Sequence, residues 1–73
     1  MESKIVFTDL NEFKNRVKEF KKLSRGNAPA KAPGCYSPDA IVTGRDGQQW
    51  RKISIYIDHN GDERYELVWV LAN

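Results

Sequence analysis

Two side chains carry the reactive groups that small enzymes use most often. They are the thiol of Cys35 and the imidazole of His59, each the sole residue of its type among 73. His59 stands beside Asp58 and is followed by Asn60-Gly61-Asp62, a turn sequence. A general base needs a positioned partner and a cleft that holds substrate. A turn tip between solvated carboxylates supplies neither. Cys35 lies next to Tyr36, with no nearby base and no motif that would lower its thiol pKa. A structural zinc site takes about four Cys or His ligands, more than the chain offers. The sequence also has no glycine-rich phosphate loop and no serine nucleophile elbow. The expectation is a non-enzymatic protein with no cofactor and no metal.

Two further motifs resemble functional ones. Asp58, Asn60 and Asp62 share the spacing that opens a calcium loop. Its glycine comes at the fourth place instead of the sixth, however, and Trp69 fills the twelfth place where glutamate is needed. A hairpin turn accounts for the same residues. The run from Asp46 to Lys52, reading DGQQWRK, resembles the strand motif of the plant WRKY DNA-binding domain. The likeness covers seven residues, and the Cys and His zinc ligands of that domain have no counterparts, so it implies no zinc site.

Charge is the more informative signal. The chain holds twelve Lys and Arg against ten Asp and Glu, a net charge of +2. The distribution is uneven. Residues 10–25 carry Lys14, Arg16, Lys18, Lys21, Lys22 and Arg25 against Glu12 and Glu19. Residues 60–73 carry Asp62, Glu63 and Glu66 against Arg64. Lys14, Lys18, Lys21, Lys22 and Arg25 form a candidate basic ridge for phosphates or an acidic protein surface.

The elements that must position these groups follow from periodicity. Lys4 to Phe7 is β-branched and aromatic, a first strand. Asp9 with Glu12 three residues later is a capping box. Leu10, Phe13, Val17, Phe20 and Leu23 then make one apolar stripe, and Gly26 is a left-handed stop, so a helix is expected over Leu10 to Arg25. Residues 26–39, with three prolines and two glycines, read as a long loop. Ala40 to Thr43, Gln48 to Asp58 and Glu63 to Leu71 alternate with period two, separated by Asp-Gly and Asn-Gly turns. The expected fold is a two-layer α+β domain, β-α-β-β-β. One amphipathic helix covers an antiparallel sheet that ends in a three-stranded meander, all in a single domain spanning 1–73.

Register decides which residues reach a partner. Ile53, Ile55 and Ile57 alternate on one face. A three-residue loop pairing Asp58 with Asp62 would set Ile55 opposite Tyr65 and Ile53 opposite Leu67, and burial favours it. A two-residue Asn60-Gly61 loop would set Ile55 opposite Glu66 and Ile57 opposite Arg64. In the favoured register Trp50, Lys52, Tyr56, Val68 and Val70 share the second face. That patch either lies beneath the Pro/Ala loop or remains open as a binding surface.

The functional expectation is protein–protein binding through this patch, the basic ridge, or both. The biology that fits is a small regulator or inhibitor from a bacterium, phage or mobile element. One alternative is a nucleic-acid module that joins the ridge to the sheet aromatics Trp50 and Tyr56. Another is a homodimer whose patch stabilises the fold. A lone cysteine and the lack of a signal-like segment in Met1 to Leu10 suggest a cytoplasmic setting, and no run is long enough to span a membrane.

Overall fold

The computed structural model describes residues 4–72. Strand β1 (Lys4–Phe7) leads into helix α1 (Leu10–Ser24). A long connection containing one 3-10 turn (Pro33–Cys35) then leads to β2 (Ile41–Thr43), β3 (Gln49–His59) and β4 (Asp62–Leu71). The result is a small α+β fold, with one helix packed against a four-stranded mixed sheet.

The helix begins as its sequence dictates. The Asp9 carboxylate accepts from the amides of Asn11 (2.8 Å) and Glu12 (3.4 Å), satisfying donors that the first turn leaves unpaired. Glu12 makes no return bond to Asp9 among the described residues. At the other end Arg25 caps the helix, and Gly26 takes a φ of +80°, which a side chain disfavours. Leu10, Phe13, Val17 and Phe20 face the sheet and pack on Ile53, Ile55, Ile57 and Val68. Phe7 adds an edge-to-face contact with Phe13 at 6.2 Å. Leu23 departs from the expected stripe and is 66% exposed, because the last helical turn lies at the end of the sheet.

Strand β3 is the centre of the sheet. β4 runs antiparallel along one side, and β1 and β2 share the other side. β1 is parallel to β3, with Ile5 beside Ile55 and Phe7 beside Ile57. The sheet is therefore mixed, not antiparallel throughout as expected. A strand that returns through a crossover helix can pair parallel.

The β3–β4 register also corrects the expectation. Asn60 (φ +53°) and Gly61 (φ +84°) form a two-residue turn, and His59 pairs with Asp62. Asn60 tolerates positive φ, and Asp58 Oδ1 accepts from the Gly61 amide at 3.1 Å. Ile57 therefore lies opposite Arg64, Ile55 opposite Glu66 and Ile53 opposite Val68. The isoleucines are still buried, because the helix, Phe7 of β1 and Val68 and Val70 of β4 cover them, even though Ile55 and Ile57 have charged partners on β4.

The connection between α1 and β2 covers the second face of the sheet at the end where β3 starts. Ala28, Trp50 and Trp69 form a second buried cluster there, flanked by Tyr36 and Val42. Trp69 Nε1 donates to the Lys31 carbonyl (3.3 Å), and Arg45 Nε donates to the Ala28 carbonyl (2.8 Å). Tyr36 meets Trp69 edge-on at 5.3 Å. Far from being structureless, residues 26–39 form the lid of this second core.

Candidate functional site

The five residues expected to share a sheet patch are divided by the sheet itself. Even-numbered residues of β3 share a face with odd-numbered residues of β4. Trp50, Lys52 and Tyr56 thus face the connection, whereas Val68 and Val70 face the helix. Trp50 is only 3% exposed and Lys52 7%. The Lys52 ammonium donates to the Tyr36 carbonyl at 2.6 Å, so it clamps the lid and is not presented to a partner. Tyr56 remains half-buried beyond the lid. Its hydroxyl donates to Glu63 Oε1 at 3.0 Å, and the Lys4 ammonium lies 4.2 Å from its ring centroid. The bond to Glu63 raises the Tyr56 phenol pKa above its ordinary value.

The candidate basic ridge lies on α1 and its C-cap Arg25. Lys14, Lys18, Lys21, Lys22 and Arg25 are all exposed. Lys18, Lys21, Lys22 and Arg25 flank one groove of about 300 Å³. Helical spacings of three, four and seven bring these four together. Lys21 lies 3.6 Å from Glu66 across the helix–sheet boundary. Lys14, Lys18, Lys22 and Arg25 have no carboxylate within ion-pair distance among the described residues. Among the described residues no carboxylate neutralises their charge, which favours an anionic partner.

A second feature adjoins the ridge and was not foreseen. Where α1 ends, β3 starts and β4 finishes, the chain forms an apolar cleft of about 330 Å³. Phe20, Leu23, Val70 and Leu71 line it, with the edges of Trp50 and Trp69 behind them. Leu23 and Leu71 stand at its rim, 66% and 44% exposed. Leu23 and Asn27 also line a hollow shared with Lys22 and with Glu19, whose carboxylate lies 3.7 Å from Arg16, so the cleft and the ridge are continuous. The signal in the sequence was the terminal position of both leucines. Each is the last large apolar residue of its element, where an element can outrun the layer that would bury it.

Asp46 forms part of one cleft wall. Its carboxylate accepts from Trp50 Nε1 (3.0 Å) and the Gln48 amide (3.0 Å). The indole bond, with that of the Gln48 amide, holds its pKa below the usual carboxylate value. Those bonds commit the carboxylate to the local turn.

The two candidate reactive residues stay apart from this region. His59 is exposed at the hairpin end, beside Thr8 to Asn11. Cys35 is exposed in the 3-10 turn. No group of three or more His, Cys, Asp or Glu is placed to hold a metal ion among the described residues. Among the same residues, no helix is long and apolar enough to cross a membrane. No family model matches the chain, and neither a curated protein nor a solved structure matches it significantly.

Proposed function

We propose that this chain is a non-enzymatic binding protein that takes an acidic segment of another protein, anchored by one bulky apolar side chain. The apolar side chain enters the cleft between Leu23 and Leu71, and the acidic residues lie along Lys18, Lys22 and Arg25. The observation that carries this reading is the continuity of an apolar cleft with cations that lack carboxylate partners among the described residues. A protein segment offers both an apolar anchor and carboxylates, and buried anchors carry most of the affinity at such interfaces. A protein of this kind would regulate or inhibit its target by occupying that target's surface.

Nucleic acid suits the geometry less well. The ridge lies on the helix layer, while Tyr56 faces the opposite side of the sheet and Trp50 is buried. A strand stacked on Tyr56 would be on the far side of the sheet from the ridge, and phosphate contacts alone would give sequence-independent binding.

Peptide display against the immobilised protein tests the reading. Enriched peptides should be acidic with one large aliphatic or aromatic residue. Both Lys18→Glu/Lys22→Glu and Leu23→Asp should abolish the enrichment while leaving the fold intact. The proposal fails if no acidic consensus emerges. It also fails if the protein retains oligonucleotides in a way that Leu23→Asp leaves unchanged and the charge reversals remove.

A further inference from the structure

Strand β4 has an open outer edge whose charges are complementary to themselves. Its inner side pairs with β3 along its whole length. The Ala72 amide donates to the Gln49 carbonyl at 2.9 Å, so even-numbered positions aim their backbone groups at β3. The backbone N–H and C=O groups of Glu63, Tyr65 and Leu67 therefore point away from the sheet. No turn or loop backbone group bonds them among the described residues. Trp69 is nearly buried beneath the lid, so the accessible stretch is Glu63 to Leu67. Tyr65, at its middle, is 69% exposed.

We propose that this edge pairs antiparallel with β4 of a second copy of the chain, about a two-fold axis at Tyr65. The charges select this register. With the axis at Tyr65, Arg64 lies opposite Glu66 of the second copy, and Glu66 opposite its Arg64. Both pairs lie on the helix side of a continuous sheet, and opposite charges at such cross-strand positions are favourable. The two Tyr65 side chains face each other on the other side. A shift of the axis to Glu66 sets glutamate against glutamate, and a shift to Arg64 sets arginine against arginine. Like charges directly opposite repel, so of these three registers only the one centred on Tyr65 brings opposite charges together. In the isolated chain Arg64 pairs with Asp62 at 3.0 Å and Glu66 with Lys21 at 3.6 Å. Both are exposed pairs, which exchange partners at little cost.

Sedimentation equilibrium from micromolar to millimolar protein tests this, with circular dichroism confirming the fold of each variant. The wild-type chain should show a monomer–dimer equilibrium. Arg64→Glu should weaken the dimer by about tenfold or more, since it opposes two pairs of like charges. The double variant Arg64→Glu/Glu66→Arg should restore it, because the swap reinstates both pairs. Tyr65→Pro should abolish it without unfolding the chain, since the lost amide faces outward and proline is tolerated on a strand edge. A monomer throughout the concentration range overturns the proposal. So does a dimer indifferent to Arg64→Glu and Tyr65→Pro, or a charge swap that fails to restore association. Arg64→Glu and Tyr65→Pro touch neither the cleft nor the lysine ridge, so failure here leaves the peptide-binding proposal standing; the Glu66→Arg change removes the partner of Lys21, so the double variant is read for dimerisation alone.

Discussion

The indole N–H of Trp50 donates to Asp46 Oδ1 at 3.0 Å, tying the start of β3 to the turn before it. Trp50 is also the centre of the second buried cluster, so this bond joins the tip of a surface turn to the core beneath the lid.

Asp46 should therefore contribute to acid sensitivity. Its pKa is lowered in the folded chain, chiefly by the Trp50 bond. The stabilisation is fully present above the ordinary carboxylate value and is lost as pH falls through the lower folded value. Urea unfolding midpoints of wild type and Asp46→Asn, measured from neutral pH down to about pH 2, should converge toward the acid end. Parallel curves would show that the Asp46 charge adds nothing.

Tyr56 gives the opposite dependence. Its phenol pKa is raised, first by the hydrogen bond to Glu63. The associated stability is present below the ordinary phenol value and is lost as pH rises through the higher folded value. In an ultraviolet titration, the Tyr56 phenol should ionise above the ordinary phenol value, and Glu63→Ala should lower its pKa. An unchanged titration in Glu63→Ala would exclude that bond as the cause.

Trp50→Ala should unfold the chain instead of weakening a partner interface. Removing a buried tryptophan costs about 3–5 kcal/mol, which is most of the stability available to a small domain. Thermal denaturation should show a lost or strongly lowered transition. A fully folded Trp50→Ala variant with near-normal melting would contradict the second core.

Lys52→Met should loosen the lid. The ammonium is 7% exposed and holds the Tyr36 carbonyl at 2.6 Å. Hydrogen bonds to charged groups contribute about 1.5–3 kcal/mol. Limited proteolysis should cut within residues 26–39 faster than in wild type, ahead of global unfolding. Equal cleavage rates would assign the clamp to the tryptophans and Arg45.

Two glycines provide an internal contrast. A methyl group on Gly44 would overlap the Asn27 carbonyl oxygen and come within 2.5 Å of Trp50 Cδ1 and Nε1. Gly44→Ala should destabilise by about 1–3 kcal/mol. A methyl group on Gly34 meets only Leu67 Cδ1, at 3.7 Å, an ordinary contact. Gly34→Ala should stay within about 0.5 kcal/mol of wild type. Chemical denaturation of the pair checks the ranking, and equal effects would refute the tight approach at Gly44.

What the sequence determined by itself was local. The Asp9 cap, the Leu10 to Leu23 stripe, the Gly26 stop and the three C-terminal strands each follow from neighbours within a few residues, and the structure holds them with the exception of Leu23, which is exposed. The exposed lysine ridge was legible for the same reason, since helical spacing alone aligns Lys14, Lys18, Lys22 and Arg25. Tertiary structure decided the rest. The expected register assumed that burial on one face of the sheet sets the pairing, with Tyr65 and Leu67 of β4 beside Ile55 and Ile53. In the folded chain both faces are covered at the end where β3 starts, by the helix on one side and by residues 26–39 on the other. With two buried faces, alternation no longer identifies the core side, and the Asn60-Gly61 turn sets the pairing. Val68 and Val70 then leave the face of Trp50, the lid closes over Trp50 and Lys52, and Leu23 and Leu71 overhang to form the cleft. Each of these outcomes depends on contacts between residues far apart in the chain, which no local period encodes.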